Sequence, residues 1–131
     1  MSEGDPTPLG DERIQALVAT LRSSGADFAY LFGSHARGDA NHHSDVDVAA
    51  HFPEVVPRNF ELDVPAGIDL LILNDAGLAI KGRVATEGVL LFESDPAAHL
   101  RWLATTRKIY FDEKYRMDRA ARDFALAVKG G

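Results

Sequence analysis

Three short apolar runs, Phe28–Phe32, Val46–Phe52 and Ile68–Leu73, constrain this chain more than any other feature. Each is bounded by glycine, proline or turn-forming polar residues, which reads as a buried strand. Val89–Phe92, just after Gly88, reads as a fourth, short edge strand. Helical periodicity alternates with these runs. Ile14, Leu17, Val18 and Leu21 fall at i, i+3, i+4 and i+7, predicting a helix from Asp11 to about Ser23 that Gly25 terminates. Asn74 or Asp75 is the expected cap of a second helix running to about Glu87. Pro96 opens the longest helical stretch, which runs with one break to about Val128. The segment from Pro53 to Pro65 has three prolines and reads as a surface excursion. The sum is an α/β (α+β) domain, a short mixed sheet flanked by helices with a long helix at the C-terminus.

The 131 residues suit one domain, residues 11–131, behind a loosely held tail at 1–10. The net charge of −6 argues against a broad grip on DNA or RNA, where phosphate neutralisation dominates affinity. With no cysteine in the chain, any metal must be held by carboxylates or histidines. No run approaches the roughly 18 apolar residues of a membrane span, and the polar N-terminus lacks the regions of a signal peptide. The expected setting is cytoplasmic, with no membrane contact.

Chemistry concentrates between the first two strands, in Gly33-Ser34-His35-Ala36-Arg37-Gly38 followed by Ser44-Asp45-Val46-Asp47-Val48. Gly33 permits a sharp turn and a close approach of backbone to ligand. Ser34 would open a short helix whose free N–H groups attract phosphate, with its hydroxyl as a further donor. Arg37 offers a planar cation one turn on, toward the same phosphates or simply toward solvent. Asp45 and Asp47 stand two apart at the head of a strand, so both carboxylates face one way while Val46 and Val48 face the core. They are the hard oxygen donors magnesium takes. Asp69 interrupts an aliphatic strand. It is either a third carboxylate beside Asp45 and Asp47 or a strand-edge acid paired with Lys81 or Arg83. Asp63 and Asp75 lie near it in sequence, but only Asp69 sits inside a strand. Three acids on adjacent strands can hold two metal ions for in-line nucleotidyl transfer.

Gly33-Ser34, ten intervening residues, Asp45-x-Asp47 and a later strand acid at Asp69 resemble the DNA polymerase β-like nucleotidyltransferase superfamily. The fuller pattern is similar to its smallest branch, the minimal nucleotidyltransferases that act as MntA-like antitoxins beside HEPN-domain toxins in type VII modules. Gly82-Arg83-Val84 through Leu91-Phe92-Glu93 looks like that branch too, and the resemblance spans roughly residues 11 to 125. It implies a minimal polymerase β-like fold, with Gly33 and Ser34 cradling the triphosphate of ATP and Asp45 and Asp47 holding Mg²⁺, two ions in all. It implies that Asp69 helps bind metal and activates the attacking hydroxyl. The implied activity is adenylylation of a tyrosine hydroxyl on a cognate HEPN-domain RNase toxin, in a hetero-oligomer, which silences the toxin.

Other features admit plainer readings. The adjacent His42 and His43 point different ways and read as solvent-exposed, and His99 reads as helix surface. Leu103, Tyr110, Met117, Ala121, Phe124 and Val128 step by seven, seven, four, three and four, a narrow apolar seam expected to pack at least partly on the sheet. Trp102, Tyr110 and Tyr115 are read as core or as a partner-binding stripe, and the charges from Arg116 to Arg122 as a solvated face. Two further functions compete with protein adenylylation. One is a binding-only antitoxin that occludes its toxin through the long helix and an acidic surface. The other is a transferase for a small molecule; such enzymes usually need a second domain or a dimer to shape the acceptor pocket, and no second domain is expected from this sequence.

Overall fold

The computed structural model describes residues 10–33, 36, 45–58 and 61–130. Helix α1 spans Glu12–Ser23 and starts on Asp11, whose carboxylate accepts the Arg13 N–H at 2.8 Å. Ile14, Leu17 and Leu21 form its buried face, and Gly25 at φ 96° turns the chain out of it. Four strands follow: β1 Phe28–Phe32, β2 Val46–His51, β3 Ile68–Ile72 and β4 Val89–Glu93. Their order is β3-β2-β1-β4, with β1 antiparallel to β2 and β4 and with β2 parallel to β3. The sheet is mixed, and β4 is an edge strand as its sequence suggests.

The period-two alternation of the strands divides the core between two faces. Ala29, Leu31, Val46, Val48, Ala50 and Phe92 cluster with Ile14, Leu17 and Leu21 of α1. Phe28, Tyr30, Ala49 and Leu73 form the other cluster with Val84, Trp102 and Leu103. These last three belong to α2, Leu78–Glu87, and α3, Pro96–Gly130. No described helix is long and apolar enough to cross a membrane.

Three expectations need correction. Neither Asn74 nor Asp75 caps α2, which begins behind Gly77 without a side-chain cap. The Asn74 amide is engaged elsewhere: its Oδ1 accepts the Phe52 N–H at 3.0 Å and its Nδ2 donates to the Phe52 carbonyl at 2.7 Å. It pairs with the backbone just past β2 as a neighbouring strand would, and residues 73–75 form a 3-10 turn around it. Second, α3 has no break; its 35 residues run continuously for about 52 Å. Third, His99 is not surface. It is 6% exposed, and Tyr30 Oη lies 2.5 Å from its Nε2 while Glu93 Oε2 lies 2.5 Å from its Nδ1. A neutral ring donating from Nδ1 to the carboxylate and accepting the tyrosine proton at Nε2 satisfies all three groups. This chain fastens the first turns of α3 to β1 and β4.

The apolar seam of α3 has two fates. Leu103 and Tyr110 are half-buried, and Tyr110 lies against Gly82 of α2, where a Cβ would fall inside its ring. Arg107 Nε donates to the Ala85 carbonyl at 2.9 Å beside it. From Lys114 to Lys129 every residue is exposed. Met117, Phe124 and Val128, at 64%, 71% and 64% exposure, therefore do not pack on the sheet. Tyr115 is exposed as well, whereas Trp102 is core, with its ring 4.9 Å from that of Phe28.

Candidate functional site

Strand register assembles the site. Phe32 on β1 is the partner of Asp47 on β2, and Asp47 is the partner of Asp69 on β3, so the three stand in one row across the sheet. Partners in adjacent strands share a face, here the face that carries α2. A cavity of about 620 Å³ opens over that row, lined by Phe32, Gly33, Asp47, Asp69, Leu70, Leu71, Ile80 and Arg83. Strand alternation puts Asp47 there while Val46 and Val48, both buried, fill the α1 side.

Gly33 ends β1 at φ 78° and passes so close to Asp47 that a Cβ would lie 2.6 Å from the Asp47 Oδ2. The glycine is thus required twice, for its left-handed backbone and for the room it leaves the carboxylate. Asp69 is exposed on the edge strand β3, so it needs no buried counter-charge. Among the described residues no ion pair joins it to Lys81 or Arg83. Asp63 and Asp75 are exposed and outside the cavity lining.

Asp45 stands immediately ahead of β2, exposed, and is not in the lining. Ser34 and Arg37 lie outside the described residues, as do His42 and His43. Among the described residues no three His, Asp or Glu side chains are gathered into a metal cage. Among the described residues the cavity offers two carboxylates, hard oxygen donors of the kind that magnesium, calcium and manganese take. Magnesium keeps much of its water and binds through one or two protein carboxylates plus substrate phosphates. An all-oxygen pair on neighbouring strands, facing open space, matches that demand.

The sequence reading missed the α2 side of the cavity. Ile80 and Arg83 are three apart on the helix and therefore share a face, and that face lines the cavity together with the Gly33 turn. Phe32, Leu71 and Ile80 give the cavity an apolar part, while Arg83 adds a cation near two acids. An apolar surface, a cation and paired carboxylates in one cavity suit a ligand with a flat apolar end and an anionic tail. The i, i+3 spacing of Ile80 and Arg83 was readable, but which way it faced depends on how α2 crosses the sheet.

The family model described as Polymerase beta, Nucleotidyltransferase matches residues 15–97 of the chain. No curated protein matches it significantly. Among solved structures, a toxin–antitoxin crystallised with AMP-PNP is similar at 22% identity and a TM-score of 0.67, covering 86% of this chain and 98% of that one. A tri-AMPylated Shewanella oneidensis HEPN toxin in complex with its MNT antitoxin is similar at 20% identity and a TM-score of 0.62, covering 86% and 96%. An MntA–HepT toxin–antitoxin complex gives 20% identity and a TM-score of 0.61, covering 86% and 97%. At such identities the likeness is one of fold.

Proposed function

Because the chain belongs to the polymerase β nucleotidyltransferase family, we propose that it is a Mg²⁺-dependent adenylyltransferase. In this reading it is an antitoxin that transfers AMP from ATP to a tyrosine hydroxyl of a cognate HEPN-domain toxin. The observation that carries the reading is the register pair Asp47–Asp69 beneath an open cavity beside Gly33. The similar fold of an MNT antitoxin seen with an AMPylated HEPN toxin supports the choice of acceptor.

Asp45, Asp47 and Asp69 would hold the magnesium. When bound, that metal neutralises charge on the phosphates as it develops in the transition state. Gly33 keeps the floor of the cavity clear, and Ser34 and Arg37 would orient the departing phosphates. Apolar Phe32 and Ile80 offer surface to the base. The acceptor hydroxyl attacks the α-phosphorus; the new O–P bond forms as the bond to pyrophosphate breaks, and Asp69 takes the hydroxyl proton. The ATP donor implies a cytoplasmic setting.

The test is to incubate the protein with Mg²⁺, ATP and the product of the adjacent gene, then record an intact mass spectrum. Partner mass should rise in steps of one AMP, and Asp47→Ala or Asp45→Asn should abolish the gain while leaving the fold intact. Wild-type transfer by either variant would refute the site assignment. The exposed half of α3 keeps one rival in play: an antitoxin that only occludes its toxin, whose mark would be full neutralisation by an Asp45/Asp47 double variant.

A further inference from the structure

We infer that the projecting half of α3 is the docking rail for the protein acceptor, and that it leaves the domain at the wall of the active-site cavity. The inference rests on the adenylyltransferase reading for the identity of its occupant, a folded toxin that offers an apolar helical face.

The seam is continuous. Leu103, Tyr110, Met117 and Phe124 are each seven residues apart, so they occupy one line along the helix. The first two rest on the domain, and the next two are largely exposed. Ala120 and Ala121 between Met117 and Phe124, and Ala127 just beyond, have small side chains, leaving room for a second helix to come close. A heptad line of this kind is satisfied by another helix, and among the described residues none lies against the seam beyond Tyr110.

Position ties the rail to the chemistry. Tyr110 sits on Gly82, and Arg83, the next residue of α2, lines the cavity with Asp47 and Asp69. A partner helix laid along residues 114–129, about 24 Å of rail, meets the domain at that wall. Side chains at its near end are then beside the cavity, where an acceptor hydroxyl must enter.

Charge argues for apolar docking rather than attraction of a basic partner by an acidic surface. Residues 111–130 carry five basic and four acidic side chains. The remainder of the chain holds the other nine Lys and Arg and the other 16 Asp and Glu, so the acid excess lies entirely off the rail. A partner that docks along this helix therefore meets a nearly neutral surface, not an acidic one.

The experiment uses the full chain with Met117→Glu/Phe124→Glu, both sites exposed and remote from the cavity lining. Against the product of the adjacent gene, we expect at least a hundredfold weaker binding and an equal fall in kcat/KM for its adenylylation. AMP-PNP affinity should be unchanged. Wild-type partner binding by the variant overturns the rail, and so does a wild-type dimer that the variant abolishes while partner binding persists. If the unmodified chain binds the partner without adenylylating it, the enzymatic reading fails, and the binding comparison still decides whether the rail is the contact.

Discussion

The Cβ that Gly33 lacks would stand 2.6 Å from the Oδ2 of Asp47, so the turn after β1 and the carboxylate of β2 fit only because residue 33 is glycine. Gly33→Ala should cost about 1–2 kcal/mol through its left-handed backbone alone. Activity should fall further, because displacing a catalytic group by an ångström can cost on the order of 100-fold in rate. Thermal unfolding and transfer kinetics on the same sample check this. A variant that loses stability and keeps full kcat would show that the added methyl does not displace Asp47.

Arg83 faces the same cavity from α2 and is exposed. If it grips substrate phosphate, Arg83→Gln removes a charged hydrogen bond of about 1.5–3 kcal/mol. The KM for ATP should then rise about 10- to 150-fold, with kcat and the unfolding temperature little changed. Calorimetric titration with AMP-PNP should show the same loss of affinity, and Arg83→Lys should recover part of it. A fall in kcat with unaltered affinity would place the cation elsewhere in the reaction.

Tyr30 is buried against α3, and that burial pushes its hydroxyl up to about 12; Arg107 opposes the rise and Glu93 adds to it. The unfolded chain gives up this proton near 10. Between roughly pH 10 and 12 the folded protein therefore binds more protons than the unfolded one, and stability drops by about 1.4 kcal/mol per pH unit. Below that window the contribution is fully present. Tyr30→Phe should be less stable at pH 8, having lost its bond to His99, yet should fall less steeply with rising pH. Urea unfolding of both proteins from pH 8 to 11.5 measures the two slopes, and equal slopes would sink the idea.

Gly82 is a helix-interior glycine, normally worth replacing by alanine for about 1 kcal/mol of propensity. Here the added methyl would enter the Tyr110 ring. Overpacking of this kind costs about 1–3 kcal/mol, so Gly82→Ala should lower the unfolding temperature instead of raising it. Adding Tyr110→Ala should make the glycine substitution neutral or favourable, which differential scanning calorimetry of the two backgrounds can resolve.

The strands were legible to within a residue because alternation and breakers are local signals. Phe28–Phe32 matches β1 at both ends, and Val46–Phe52 overshoots β2 by one residue. What escaped depends on contacts distant in sequence. Asn74 has the chemistry of a helix cap, and only the proximity of Phe52 diverts it to strand-like pairing. His99 carries no mark of burial until Tyr30 and Glu93 close around it. Of the candidate site, Gly33, Asp47 and Asp69 could be read from the sequence and come together at one cavity; Arg83 could be seen only as a possible partner for Asp69. The α3 seam was readable as a line of apolar residues, but its period could not say where the domain beneath it stops.

The row Phe32–Asp47–Asp69 also acts as a register gauge for the sheet. β3 joins β2 after an excursion rich in proline, and strands slip by single residues when their pairing is weakly specified. A slip of one residue would carry Asp69 to the α1 face and put Leu70 or Ile68 opposite Asp47. Such a molecule would keep most of its apolar burial, since β3 is aliphatic on both faces. It would have lost one of its two cavity carboxylates. On the adenylyltransferase reading, specific activity in a pure, folded sample would therefore track the fraction of chains whose edge strand is correctly threaded, a quantity that secondary-structure content does not register.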